Sequence, residues 1–257
     1  MEKAPFRLRW PHYLLAVGLY LALLLAWAPA SLLAWALPQL TDQTVWLVQA
    51  QGSVWRGEAA GVQVHGVAAQ DLQLGRLNWR LRPLDLLTGR LAYRLELSGA
   101  GINAAGVLRA GMQDADLQNM QAELPAGMLE QLSSDFALWQ PGGRLKFETA
   151  RIGFKQAGVE GQATLRWVDA ISGRVSAPLG SYRAELTGTQ SGMGISLATE
   201  AGALQLQGEG MWTARHGLAL VGSARAEPES RAALEGLLSL LGPAQADGSR
   251  AIRIGGR

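Results

Sequence analysis

The residue types able to do chemistry are sparse and scattered in this chain. The three histidines, His12, His65 and His216, lie far apart, and a lone histidine in a turn-like or strand-like context is more often hydrogen-bonded than functional. Asp114-Ala115-Asp116 could turn two carboxylates to one side of a strand and share a cation. A calcium-class ion wants several more oxygens, so a solvated loop is the expected setting. No acidic pair stands out for acid–base work. The chain has no Cys, which excludes a disulfide framework and a cysteine metal site. It also lacks G-x-S-x-G, a P-loop, H-E-x-x-H and a strand-linked G-x-G-x-x-G. The expectation is a protein that is not an enzyme, with no catalytic residues, no cofactor and no metal.

Nine tryptophans could stack against sugars or aromatic ligands. Trp10, Trp27 and Trp35 fall in an apolar N-terminal stretch. Trp79 and Trp167 are in phase with an apolar strand face and read as core. Trp55 lies in Gly52-Ser53-Val54-Trp55-Arg56-Gly57, a hairpin-like segment. It either plugs the end of a sheet or marks a docking surface, since Trp often anchors interfaces. Trp55 and its neighbour Arg56 are the candidate interaction residues.

The elements that must position them follow from periodicity. After residue 42 apolar residues recur every second position: Leu77, Trp79, Leu81; Leu91, Tyr93, Leu95, Leu97; Leu145, Phe147; Leu165, Trp167; Ile195, Leu197; Leu204, Leu206; Leu218, Leu220. That pattern predicts strands with one buried and one wet face. Gly-rich turns between them predict an antiparallel meander rather than βαβ units. The phase flips between Leu72, Leu74 and Leu77, Trp79, so a bulge or turn is expected at Gly75. Leu234, Leu237, Leu238 and Leu241 have helical spacing after Pro228, and a shorter helix is expected near Pro125 with Met128, Leu129 and Leu132 on one side. The Trp79 and Tyr93 strands are echoed by those of Trp167 and Tyr182, at offsets of 88 and 89 residues. The echo predicts a two-repeat meander, 42–135 and 141–242, followed by a tail, 243–257.

Residues 10–41 carry no charge. About 20 apolar residues span a bilayer, which predicts a short cytoplasmic tail over 1–10 and a transmembrane anchor over 11–37. Pro29 would kink or end that helix. Lys3, Arg7 and Arg9 precede it, so the positive-inside rule sends the body across the membrane. Ala28-Pro29-Ala30 and Ala34-Trp35-Ala36 resemble signal-peptide cleavage sites, but the apolar run exceeds a usual signal h-region. Residues 1–41 hold three basic residues against Glu2, leaving 23 − 3 = 20 basic and 21 − 1 = 20 acidic residues in the body. A nucleic-acid binder concentrates its positive charge on one face, so nucleic acid is not an expected partner.

Several segments together carry a resemblance. These are Gly52-Ser53-Val54-Trp55-Arg56-Gly57, Trp79-Arg80-Leu81-Arg82-Pro83-Leu84-Asp85-Leu86-Leu87-Thr88-Gly89, Leu179-Gly180-Ser181-Tyr182, and the Gly202–Gly208 strand before a Leu-rich helix. In this order they resemble the type II secretion system protein N family, an accessory inner-membrane component of the general secretion pathway. The resemblance implies a single-pass inner-membrane protein with its bulk in the periplasm, serving export of folded proteins across the outer membrane. It implies protein partners, the inner-membrane linker subunit and the secretin, beside the inner-membrane bilayer, and carries over no catalytic residue. The expected fold is mainly β: a transmembrane helix, then a curved antiparallel meander with two short amphipathic helices. The alternative is an AsmA-like periplasmic domain whose apolar sheet face stays open to bind or transfer lipid; alternation alone does not separate an open groove from a closed core.

Overall fold

The structure, a computed structural model, describes residues 10–65, 71–112, 114–132, 138–155, 158–175, 178–213, 215–241, 244–245 and 248–255. The chain is mainly β, as the alternation predicts. All 14 strands among the described residues join one antiparallel sheet. They are β1 Val45–Gly52, β2 Arg56–Val64, β3 Leu72–Gln73, β4 Arg76–Leu81, β5 Leu91–Gly99, β6 Ile102–Ala110, β7 Asp114–Pro125, β8 Pro141–Lys155, β9 Gly158–Ser172, β10 Gly180–Thr189, β11 Gly192–Ala201, β12 Leu204–Thr213, β13 Gly217–Ala226 and β14 Arg250–Ile254. Spatial order follows chain order from β1 to β14, apart from β3, which shares β2 with β4. The sheet does not close: β1 and β14 are its two edges. Gly75, with φ +95°, makes the break between β3 and β4, and its carbonyl accepts from Val62 N–H. Residues after 242, expected to be a tail, supply β14, which pairs with β13.

Helices precede and interrupt the strands. They are α1 Trp10–Ala26, α2 Ser31–Leu40, α3 Pro83–Leu86, α4 Leu129–Leu132 and α5 Arg231–Leu241. The expected single anchor over 11–37 is instead two helices, α1 and α2, and no described helix is long and apolar enough to cross a membrane. The break has a physical cause. Pro29 lacks an N–H for the helix ladder, while Ala30 N–H donates to the Gly52 carbonyl and Val54 N–H to that of Ala28. Ala28 and Ala30 are thereby buried against the β1–β2 hairpin. Helix α2 then joins the body, as Ala30 and Leu33 pack with Ala59, Leu47, Leu77 and Trp79.

The second core lies under α5. Leu234 and Leu237 are fully buried against Leu204, Leu220, Ala224 and Ile252, the stripe that the helical spacing marks. Between the two cores the apolar face continues half-buried through Leu95, Leu108, Phe147, Leu165 and Ile195. The Trp79 and Trp167 strands, β4 and β9, are five antiparallel pairings apart. They therefore run in opposite directions, and the echoing tryptophans lie toward opposite ends of the sheet. Each indole N–H still donates to a backbone carbonyl, Trp79 to Ser53 at 3.1 Å and Trp167 to Gly142 at 2.8 Å.

Tyr182 is 2% exposed, packs 5.8 Å from the Trp167 ring and donates its hydroxyl to the Leu204 carbonyl at 3.0 Å. Burial pushes its phenol well above the ordinary value. The fold favours the protonated phenol. This stabilisation is complete below the ordinary tyrosine value of about 10 and is lost as pH rises beyond it. Tyr182→Phe is expected to cost about 1 kcal/mol near neutral pH through the lost hydrogen bond, and to flatten the alkaline limb of a melting-temperature profile.

Candidate functional site

The directions of the described strands bring the β1–β2 hairpin, the α3 segment, and the β6–β7, β8–β9, β10–β11 and β12–β13 connections to one end of the sheet. Helix α1 joins the body at this same end. The Gly-x-Val-Trp-x-Gly hairpin explains its own composition. Gly52 has φ +92°, which favours glycine. A Cβ on Gly57 would stand 2.5 Å from the Trp79 ring, so the absent side chain makes room for the indole. Ser53 Oγ accepts from Arg56 N–H at 3.2 Å and closes the turn.

Trp55 is half-buried and ties three elements together. Its indole N–H donates to the Ala26 carbonyl, the last residue of α1, at 3.0 Å, and its own carbonyl accepts from Leu81 N–H at 2.7 Å. Trp55→Phe keeps the ring and deletes the donor. It is expected to loosen α1 from the sheet with a cost of about 1 kcal/mol, read as faster hydrogen exchange at residues 26–30 and unchanged exchange under α5.

Arg56 is exposed on the polar face. In register it stands opposite Arg80, and Arg80 opposite Arg94. The three arginines, with Asn78 and Glu96, line a shallow hollow of about 280 Å³. A second hollow of about 550 Å³ lies on the same face over β5 to β8, between Glu96, Asn103, Gln121, Glu123, Lys146 and Glu148.

Asp114 and Asp116, expected in a solvated loop, are on β7, and Asp116 is 3% exposed. Guanidinium groups take the place a cation would fill. Arg90 lies 2.5 Å from Asp114, and Arg90 and Arg151 lie 3.9 and 3.7 Å from Asp116. Beside them Asp85 of α3 is held by Arg109 at 2.9 Å and Arg82 at 3.2 Å. Sequence reading missed this network because its members are spread over α3 with its flanking residues and three strands, β6, β7 and β8. His65 pairs with Asp71 at 3.3 Å and stacks edge-on to Trp46, and His216 bonds the Thr213 hydroxyl, so neither joins the other or the hairpin. Among the described residues no group of three or more His, Cys, Asp or Glu could hold a metal ion.

In comparison with known proteins, the model of one family, type II secretion system (T2SS), protein N, matches residues 43–253, from the start of the sheet into β14. No curated protein and no solved structure matches the chain.

Proposed function

This chain belongs to the type II secretion system protein N family, and on that premise we propose that it is an accessory subunit of the type II secretion machinery. It is held at the inner membrane by α1 and acts in the periplasm by protein contact rather than by catalysis. The observation that carries the reading is the open sheet: within a secretion-machine family, β1 and β14 are its two ends and have no partner strand on their outer sides among the described residues, although Ala30 meets β1 at Gly52 and Ala244 meets β14 at Arg250. Unpaired edges accept a partner's strand by main-chain hydrogen bonds. Tethering raises the sheet's effective concentration near other membrane subunits.

The membrane attachment has its own support. Trp10, Leu15, Val17, Leu19, Tyr20 and Leu24 are each more than half exposed around α1. Apolar surface of that extent is costly in water and at home in lipid. Lys3, Arg7 and Arg9 precede the helix, the arrangement that leaves the N-terminus in the cytoplasm. At about 1.5 Å per residue, the 17 residues of α1 extend about 25 Å. The partners this reading names are the inner-membrane linker subunit and the secretin. Detergent-solubilised full chain, pulled from cells running the system, should bring down one of them. Recovery of neither would overturn the contact role.

A second reading has a specific observation behind it. Leu108, Phe147 and Leu165 form a partly buried apolar strip between the α2 and α5 cores, into which Leu95 and Ile195 pack, the place an acyl chain would occupy in a lipid-binding or lipid-transfer domain. Native mass spectrometry of the solubilised chain separates the two. A stoichiometric phospholipid that survives ejection from detergent favours the groove, and bare chain favours contact alone.

A further inference from the structure

The Pro-Leu-x-Leu-Leu-x-Gly segment holds leucines that the sheet does not use. Leu84 and Leu87 are 77% and 85% exposed, and Met112, at the tip of the next turn along this end, is 99% exposed. The tip is braced rather than loose. Asp85, between the two leucines, is clamped by Arg82 and Arg109, while Arg90 pairs with Asp114 beyond the Met112 turn. The same end receives α1. Ala26 bonds Trp55, Trp55 bonds Leu81, and α3 follows within two residues.

Behind this apolar tip stands the Arg56–Arg80–Arg94 row. Like charges directly opposite on neighbouring strands destabilise a sheet unless an anion lies between them. None of the three forms an ion pair among the described residues. Strand rise sets Arg80 about 7 Å back from Arg82 at the foot of α3, within the depth of about 5–10 Å over which interfacial segments meet headgroups.

We propose that this end of the sheet docks on the bilayer surface beside α1. Leu84, Leu87 and Met112 enter the boundary between headgroups and acyl chains, and Arg56, Arg80 and Arg94 meet the phosphates of anionic phospholipids. The inference rests on the membrane attachment proposed above. Docking would hold the sheet at a fixed angle to the bilayer and hold its edges at a fixed height for partners.

The chain has no Cys, so single spin labels can be placed cleanly on the full-length protein. Leu15→Cys, Leu87→Cys, Met112→Cys and Ser98→Cys sample α1, the tip twice, and the opposite end of β5. The chain is reconstituted in vesicles of phosphatidylethanolamine with phosphatidylglycerol. Labels at 15, 87 and 112 should then shift from nickel-chelate access to oxygen access, and the label at 98 should stay in water. A label at 15 in lipid with those at 87 and 112 in water overturns the docking and leaves the attachment standing. A label at 15 in water overturns the attachment itself. Arg80→Gln and Arg94→Gln should each lower the docked-to-free ratio of the Met112→Cys signal about fivefold. Phosphatidylcholine vesicles should lower it further than either. A ratio unmoved by both changes would overturn the headgroup contact.

Discussion

Leu234→Ala and Leu237→Ala should each cost about 2–5 kcal/mol, the range for truncating a fully buried leucine. Both residues are fully buried, on the face of α5 that meets β12, β13 and β14. Whole domains hold only about 5–15 kcal/mol, so the double variant should lose its cooperative unfolding transition or fail to accumulate. The neighbouring exposed Glu235 pairs with Arg250 at 2.8 Å, and Glu235→Gln should cost less than about 1 kcal/mol. Circular-dichroism melts of the full chain in detergent read all three. Equal effects at positions 234 and 235 would mean that α5 does not cover the sheet as described.

Glycine substitutions separate strain from propensity. Gly202 has φ +126°, and a Cβ there would stand 2.2 Å from Gly180 Cα and 2.5 Å from the Leu179 carbonyl. Both the backbone angle and the contact resist a side chain, so Gly202→Ala should cost about 2–5 kcal/mol. Gly217 has φ +68° with open space around it, and Gly217→Ala should cost only about 1 kcal/mol. Gly236 lies in α5 with nothing near its missing Cβ, so Gly236→Ala should stabilise by about 0.5–1 kcal/mol. The order 202, 217, 236 from most to least damaging is the expected result in chemical denaturation. A different order would contradict the packing of β10 against β11.

The strands legible in the sequence are those whose large residues alternate, such as Leu77-Trp79-Leu81 in β4. Strands β2 and β6 are harder to see because alanines and glycines occupy them, as in Arg56–Val64 and Ile102–Ala110. Small side chains carry little periodic signal, and their strand state follows from their neighbours. Strand β7 opens on Asp114 and Asp116, whose charge looks like a loop until Arg90, just before β5, and Arg151 of β8 are brought beside them. The division of the N-terminal apolar run depended on a tertiary contact, the burial of Ala28 and Ala30 on a hairpin more than twenty residues later. Hydropathy is blind to such contacts. At the hairpin, the glycines and Trp55 were readable from the motif, whereas the partner of Trp55 in α1 and the facing arginines became visible only with the register.

The role proposed for the sheet is contact at its open edges within the secretion machinery. Photo-crosslinking in cells tests it most directly, with the photoreactive residue placed at Trp46 on β1, at Arg253 on β14, and at Glu96 in the middle of the polar face. Adducts with another subunit of the system are expected from one or both edges and none from Glu96. Adducts from Glu96 alone, or none from either edge in cells that are actively secreting, would contradict it.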